Sequence, residues 1–359
     1  MRKGHLDIFK PVCPLCRQSQ RGDRVLALGP VCKQEGEQIV EGFLLCPDAS
    51  CKTEYPIVDG IPIIVSNVAQ FVTDNIQRIN SRADLSPTME SLLGDSCGGG
   101  SVYDQDRQHL SAYVQAHYGH LLTVDEHPPK TEIRSSALEL LDAGLRCAGQ
   151  VKPGPVIDVG ASVGMTCFGL AKRYGQPVLG VDLNISMLRF ASALLRNERM
   201  QFCRRRLGTV YDAMSIQAPS DADALVDFWA CDAIALPFAQ DTAALVTSFN
   251  ILDCVASPLD HLRTICGILS QGGKVILTTP YDWAPTATPP AAWIGGHSQR
   301  NEKEGSSELI LRQLLTGQLP QSIPGVKLVS ELPEVPWRLQ LHQRSEIEYQ
   351  VHLVVLEAD

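Results

Sequence analysis

The stretch that most limits what this chain can fold into is Val156-Ile157-Asp158-Val159-Gly160-Ala161-Ser162-Val163-Gly164-Met165. A short apolar run ends in an acidic residue and a glycine-spaced turn, and Thr166 to Tyr174 continues with helical spacing. A second apolar run, Pro177 to Val181, then ends in Asp182. Strand, turn, helix and strand in that order predict one β-α-β unit, because two parallel strands need a crossover to carry the chain back. Glycine at 160 and 164 would let backbone approach a bound group closely. A carboxylate at the tip of the second strand is placed to accept hydrogen bonds from the two hydroxyls of a ribose.

A glycine-rich turn occurs in many nucleotide sites, so the weight falls on the residues downstream of Asp182. Cys231-Asp232-Ala233-Ile234-Ala235-Leu236-Pro237-Phe238 is succeeded by the apolar run Ala243 to Phe249 and by Asn250-Ile251-Leu252-Asp253. A helix-like segment, Leu259 to Leu269, precedes Gly272-Gly273 and the apolar run from Lys274. With these residues the chain resembles the class I S-adenosylmethionine-dependent methyltransferases. A nicotinamide-binding unit would want a third glycine in the turn, which is absent.

The resemblance implies an α/β fold: a seven-stranded, mostly parallel, Rossmann-like sheet with helices on both faces. Strand one is Val156 to Val159, strand two Val178 to Asp182, strand four Ala244 to Phe249 and strand five Lys274 to Thr278. An antiparallel C-terminal hairpin is expected from Trp337 to Glu357. The resemblance also implies S-adenosyl-L-methionine as cofactor, held by Asp158, Gly160, Ser162, Gly164, Asp182, Leu183, Asp232, Ala233 and Asn250. In that set Asp182 takes the ribose and Asp232 the adenine amino group.

The amino-terminal part has a different signature. Cys13-Pro14-Leu15-Cys16 and Cys46-Pro47-Asp48-Ala49-Ser50-Cys51 are two close cysteine pairs, each at a proline-marked turn. Two such knuckles can bring Cys13, Cys16, Cys46 and Cys51 into the tetrahedron that Zn2+ accepts, with Cys32 as a possible substitute ligand. Four cysteines leave no open position, so the zinc would be structural. The segment is too short for a large core of its own, and a metal staple makes physical sense. Glu54 to Val65 then reads as strand, Asp59-Gly60 turn and strand. Together these features resemble the small zinc-binding activators that partner tRNA and protein methyltransferases. The expected organisation is a zinc-ribbon-like β module at 1–66, linker and capping helices at 67–130, and the methyltransferase domain at 131–359.

Composition sets limits. No run approaches about 18 apolar residues and none follows the Met1 start, so the chain reads as cytoplasmic, with no membrane partner. Twelve cysteines then suit metal ligands or buried thiols better than disulfides. A net charge of −9 argues against a broad grip on nucleic acid. The one dense basic cluster, Arg204-Arg205-Arg206, reads as a solvated helix end, with a phosphate or acidic-partner contact as the alternative. Ser96 to Ser101 is a glycine-rich break; Val102 to Leu122 reads as a helix carrying Tyr103, Tyr113, His117 and Tyr118, which the methyltransferase resemblance would lay over the cofactor's open side, with a plain amphipathic packing helix as the alternative. His127-Pro128-Pro129 ends it, and a helix from Glu132 to Ala148 precedes strand one.

A narrower resemblance lies in the second half. Ser248-Phe249-Asn250-Ile251-Leu252-Asp253, Thr279-Pro280-Tyr281-Asp282-Trp283, Trp293-Ile294-Gly295-Gly296, Val335-Pro336-Trp337 and Arg344 together look like the methyltransferase domain of the ovothiol synthases. That family methylates a ring nitrogen of a thiol-bearing histidine. The resemblance implies N-methylation of a small imidazole or other amino-acid-derived acceptor. Asn250, Tyr281 and Asp253 are the candidate catalytic residues; Tyr281, Trp283, Trp293, Gly296 and Arg344 are the candidates for holding the acceptor. For Asp253 a helix-capping role is the competing reading, for each of Trp283 and Trp293 a rim-packing position, and for His297 a plain surface position. The sulfoxide-synthase portion of those proteins is missing here, and the zinc module stands in its place. An RNA or protein acceptor docked through that module is therefore the alternative.

Overall fold

Val156–Val159, Val226–Cys231 and Ala243–Phe249 are buried along almost their whole length. Strands of that kind are stable only when both faces are covered. The computed structural model describes residues 1–82, 84–123, 135–219, 223–298, 300 and 305–359, and in it these strands lie inside one sheet sandwiched between helices.

In chain order, the N-terminal module comprises α1 (Lys3–Phe9), α2 (Pro14–Gln18), β1 (Ala27–Glu35), β2 (Gln38–Leu45), β3 (Glu54–Val58) and β4 (Ile61–Ile64). Then come α3 (Val68–Ile79), α4 (Pro87–Cys97), α5 (Val102–Tyr118), β5 (Leu122–Thr123) and α6 (Ser136–Ala148). The first β-α-β unit is β6 (Val156–Val159), α7 (Met165–Tyr174) and β7 (Val178–Asp182), followed by α8 (Ile185–Leu194). A hairpin of β8 (Arg199–Leu207) and β9 (Val210–Gln217) precedes β10 (Val226–Cys231), β11 (Ala243–Phe249), α9 (Pro258–Gly267) and β12 (Leu269–Thr279). The chain ends with α10 (Ser307–Leu315), β13 (Val326–His342) and β14 (Ser345–Ala358). Serine starts many of these helices: Ser86, Ser101, Ser135, Ser257 and Ser306 each accept an N–H of the first turn.

The order β10-β7-β6-β11-β12-β14-β13 is the expected seven-stranded sheet, parallel except for the last hairpin. It does not stop at β10. β4 pairs with β10 in parallel, and β1 to β3 extend the sheet to eleven strands. The N-terminal module is thus continuous with the catalytic sheet. Its β3–β4 hairpin turns on Asp59 and Gly60, both at positive φ, as an Asp-Gly turn predicts.

Several expectations are corrected. Arg204, Arg205 and Arg206 lie on β8, not at a helix end. Arg204 and Arg206 pair with Asp212 across the hairpin, and Arg205 donates to Gln108. β8 and β9 form a separate three-stranded sheet with β5. The C-terminal hairpin begins at Val326 rather than Trp337. The segment 67–130, expected to hold linker and capping helices, carries α3, α4 and α5. His127-Pro128-Pro129 and the start of the helix expected from Glu132 lie outside the described residues. No helix among the described residues is long and apolar enough to cross a membrane.

Candidate active site

Both glycines of the β6–α7 turn have positive φ, +79° at Gly160 and +90° at Gly164. The close approach they allow is to the protein's own side chains. A Cβ on Gly160 would stand 2.5 Å from Ile251, and one on Gly164 would stand 2.5 Å from Phe228. Gly164→Ala should therefore cost about 2–4 kcal/mol, from overpacking plus a left-handed backbone. A urea unfolding midpoint equal to that of the parent protein would contradict this.

Asp158 points inward. Its oxygens accept from the hydroxyls of Thr247 (2.6 Å) and Thr166 and from the Cys167 thiol (3.3 Å). Burial raises its pKa against those bonds. It ties β6 to β11 and α7 beneath the turn. Asp182 is at the tip of β7, where its oxygens accept the backbone N–H of Ser162 and of Asn184, both at 2.8 Å. A carboxylate has about four lone-pair sites, so Asp182 can also serve two hydroxyls. Ser162 itself is at φ +53°. Leu183 beside it is 39 % exposed, an apolar surface at the strand ends.

Asp232 follows β10 and accepts the Ile234 N–H at 3.1 Å. Next to it, the Ala233 carbonyl is held by Nδ1 of buried His261 at 2.9 Å, while Nε2 of that ring meets the Ser248 hydroxyl, also at 2.9 Å. Burial pushes His261 down to about 4, so the ring is neutral and works as a fixed strut. Asp182, Leu183, Asp232 and Ala233 thus sit at the C-terminal ends of neighbouring strands, where open α/β sheets take ligands. These residues fit an adenosine group: acidic acceptors for hydroxyls and an amine, with an apolar side chain between them.

The tips of β11 and β12 carry the acceptor candidates. Asn250 and Tyr281 both have positive φ, +57° and +56°. Such backbone is costly for a tyrosine and often marks functional strain. Asn250 is fixed to β12 through its N–H to Thr278 O and through its Oδ1, which accepts the Thr278 hydroxyl at 2.8 Å. Asp253 is 1 % exposed, and its Oδ1 has no hydrogen-bond partner. It does not cap a helix: Ser257 caps α9. Burial pushes Asp253 up to about 6, and the nearby charge of Asp282 adds to this.

Asp282 accepts the Tyr349 hydroxyl at 3.3 Å. Tyr113 on α5 is pushed up to about 12 by burial, with Cys254, Asp182 and Asp253 adding to it. It therefore lies within electrostatic reach of both Asp182 and Asp253. Of the other α5 candidates, Tyr118 donates to Val163 O at 2.8 Å, His117 packs edge-on to Trp337, and Tyr103 faces Arg107.

Trp283 and Trp293 stack on each other, with centroids 5.9 Å apart and planes at 14°, so no ring fits between them. Their indole N–H groups go to Ser307 and to Thr288 O. A Cβ on Gly296 would meet Trp283 at 2.7 Å. Thr288 in turn donates to the carbonyls of Asp253 and Val255, so the tryptophan loop is latched to the β11 tip. His297 is exposed, as the plain reading expects. Arg344 is not brought to this loop. It is exposed at the β13–β14 tip, where the neighbouring Gln343 bonds Arg206 O on β8. Sequence reasoning passed over His352, Glu331, Asp282 and Tyr349. A signal was present for His352, a lone polar residue in the apolar run Val351 to Leu356.

At the other end of the sheet, Cys13, Cys16, Cys46 and Cys51 place their sulfurs within 4.8 Å of one another. Cys13–Cys51 and Cys16–Cys46 are 3.8 and 3.6 Å apart. A tetrahedron with bonds of about 2.3 Å to sulfur has edges of about 3.8 Å, so the thiols fit Zn2+. Tyr55 and Thr53 hydroxyls lie 3.0 Å from Cys13 and Cys51. Cys32 is exposed on β1 and outside the group. The first knuckle grips the loop after β10: Val12 N–H bonds Pro237 O at 2.8 Å, and Arg17 donates to Leu236 O and Phe238 O.

Residues 157–277 match the family model described as a methyltransferase domain. No curated protein matches the chain. Among solved structures, a SAM-dependent methyltransferase from Aquifex aeolicus is similar over 63 % of this chain and 94 % of its own, at 14 % identity and a TM-score of 0.39. Haemonchus contortus phosphoethanolamine N-methyltransferase 2 with S-adenosyl-L-methionine matches over 69 % of this chain and 46 % of its own, at 18 % identity and a TM-score of 0.36. The Haloferax volcanii complex of the Trm112 methyltransferase activator with a methyltransferase matches over 62 % and 90 %, at 15 % identity and 0.37. The family match covers about a third of the chain and falls on the segment that carries Asp158, Asp182 and Asp232, and residues 157–277 are accordingly a methyltransferase domain.

Proposed function

We propose that the enzyme methylates a nitrogen of a small, cation-bearing acceptor of the imidazole or thiohistidine type. The observation that carries this reading is the buried, unpartnered Oδ1 of Asp253, with Asp282, Tyr113 and Tyr349 around it. An unpaired buried carboxylate oxygen is costly, and an ammonium or ring N–H would satisfy it. The same acidic surround disfavours a polyphosphate chain. An RNA or protein acceptor docked on the zinc module is less favoured. Four strand spacings, about 19 Å, separate β4 from β11.

S-adenosyl-L-methionine supplies an electrophilic methyl group on a sulfonium. Asp182 would hold its ribose and Asp232 its adenine amine, against Leu183 and Ala233, with the Gly160–Gly164 turn along the methionine portion. Asn250 and Tyr281 would orient the acceptor, with Trp283, Trp293 and Gly296 as the wall behind it. Positioning alone can supply about 7–11 kcal/mol of such a displacement. Zn2+ on the four cysteines would be structural.

The test is acceptor binding to the full chain, with a thiol-bearing histidine as probe. Asp253 must be ionised to hold a cation, and its pKa is raised to about 6. Affinity should therefore fall about tenfold from pH 7 to pH 5, as the ionised fraction falls. Asp253→Asn should weaken binding and flatten that profile. A variant that keeps the parent's pH dependence would refute the role of Asp253. Failure to bind the thiol-bearing histidine, together with binding of an RNA oligonucleotide that is lost steeply as salt rises, would instead favour an RNA acceptor, since phosphate contacts release counterions.

A further inference from the structure

A polar file leads away from the tip of β12. Tyr281 places its hydroxyl 2.7 Å from Nδ1 of His352, and Nε2 of that ring is 3.4 Å from Glu331. Arg312 grips Glu331 through Nε at 3.2 Å and Nη2 at 2.6 Å. The four residues come from four elements: the loop after β12, β14, β13 and α10. Exposure rises along the file, from 4 % at His352 to 28 % at Glu331 and 48 % at Arg312. Packing alone gives no reason for a histidine in this apolar strand or for a tyrosine at φ +56°.

The chemistry of the partners fixes the protons. Ionised Glu331 can only accept, so Nε2 of His352 carries the hydrogen. A neutral ring then leaves Nδ1 bare to accept from the Tyr281 hydroxyl. The titratable and charged groups facing His352 are Tyr281, Glu331 on β13, and Glu308 and Arg312 on α10. Burial lowers the pKa of His352, and the two carboxylates only partly offset this, so the ring is neutral near pH 7.

We propose that Tyr281 takes the proton released by the acceptor nitrogen as it is methylated and passes its own to His352, with Glu331 and Arg312 as positioning residues. This rests on the N-methylation reading above. The nitrogen lone pair forms the bond to the methyl carbon, and the electron pair of the broken carbon–sulfur bond stays on sulfur. The acceptor's N–H proton moves to the Tyr281 oxygen, and the phenol's proton moves to Nδ1. His352 becomes an imidazolium facing Glu331, and the proton leaves along Glu331 to water. The acceptor has exchanged a proton for a methyl cation, and the solution gains one proton.

Two measurements test this. Nitrogen-15 NMR of the ligand-free full chain should find His352 as the Nε2–H tautomer, with an Nδ1 signal that shifts in Tyr281→Phe. The Nδ1–H tautomer overturns the proposal, because the phenol would then be an acceptor. Turnover is read with labelled S-adenosyl-L-methionine and a thiol-bearing histidine as probe. His352→Gln should lower kcat about 100-fold, with KM and cofactor affinity within about twofold of the parent. An unchanged kcat overturns the proposal. Glu331→Gln, at a part-exposed site that tolerates change, should lower kcat about tenfold and mix the tautomers; a single unchanged tautomer with full turnover also overturns it. If the parent enzyme leaves the probe unmethylated, the acceptor reading has failed, and the tautomer measurement still decides the proton file.

Discussion

Cys13→Ala should strip the protein of zinc and lower both its melting temperature and its affinity for S-adenosyl-L-methionine. Binding of this kind contributes on the order of 10 kcal/mol to folding a small module, comparable to the whole stability of a typical domain. The loss would not stay local. Val12 N–H and the Arg17 guanidinium hold the carbonyls of Pro237, Leu236 and Phe238, and that loop begins at Asp232. β4 is also the neighbour of β10, the strand that ends in Cys231. Elemental analysis, calorimetric melting and cofactor titration check the three effects. Zinc-free protein that melts and binds as the parent does would show that the cysteines are only buried thiols. Arg17→Ala separates the two consequences: it should keep the metal yet weaken cofactor binding.

Asp182→Ala should weaken S-adenosyl-L-methionine binding by about 100-fold or more. Two charge-assisted hydrogen bonds at roughly 1.5–3 kcal/mol each account for that. A second contribution comes from the fold, since Asp182 also accepts the N–H groups of Ser162 and Asn184. Without it the turn at Ser162 loses the bond that offsets its φ of +53°. Asp182→Asn keeps one acceptor oxygen and should fall between the two. An unchanged dissociation constant by calorimetry would assign the ribose to a different carboxylate.

The parts of the fold that could be read from the sequence are those with one dominant signal. β6, β7, β11 and β12 are apolar runs ended by an acid, an asparagine or a threonine, and they lie where expected within a residue or two outside the start of β12. β8 was hidden because Arg204-Arg205-Arg206 looks like a solvated helix end, whereas its charges are spent on the paired strand through Asp212. The start of β13 was hidden by Pro333 and Pro336. An edge strand tolerates both: Pro333 falls in a register shift between Leu332 and Val335, and Pro336 stays in register opposite Gln350. In the site, the acidic residues at strand tips were legible because they end apolar runs. The Tyr281–His352–Glu331 file was not, because its members are tens of residues apart and meet only once β12, β14 and β13 are paired.

The two outer strands of the eleven-stranded sheet have a common character. β1 is largely exposed, carries Pro30, Lys33 and Glu35, and pairs with repeated register shifts; β13 carries its two prolines. Charges, prolines and bulges of this kind deter a second molecule from adding a strand. β10 has neither proline nor bulge, all six of its residues are buried, and its one charge, Asp227, is taken up by the N-terminal segment through the Arg2 N–H. Supplied as a separate polypeptide, the cover over that edge could dissociate on dilution and leave a sticky flank open to self-association. Encoded in the same chain, it is present at a fixed ratio of one per catalytic sheet, whatever the protein concentration. Colloidal behaviour should therefore depend on the N-terminal module as much as catalysis does.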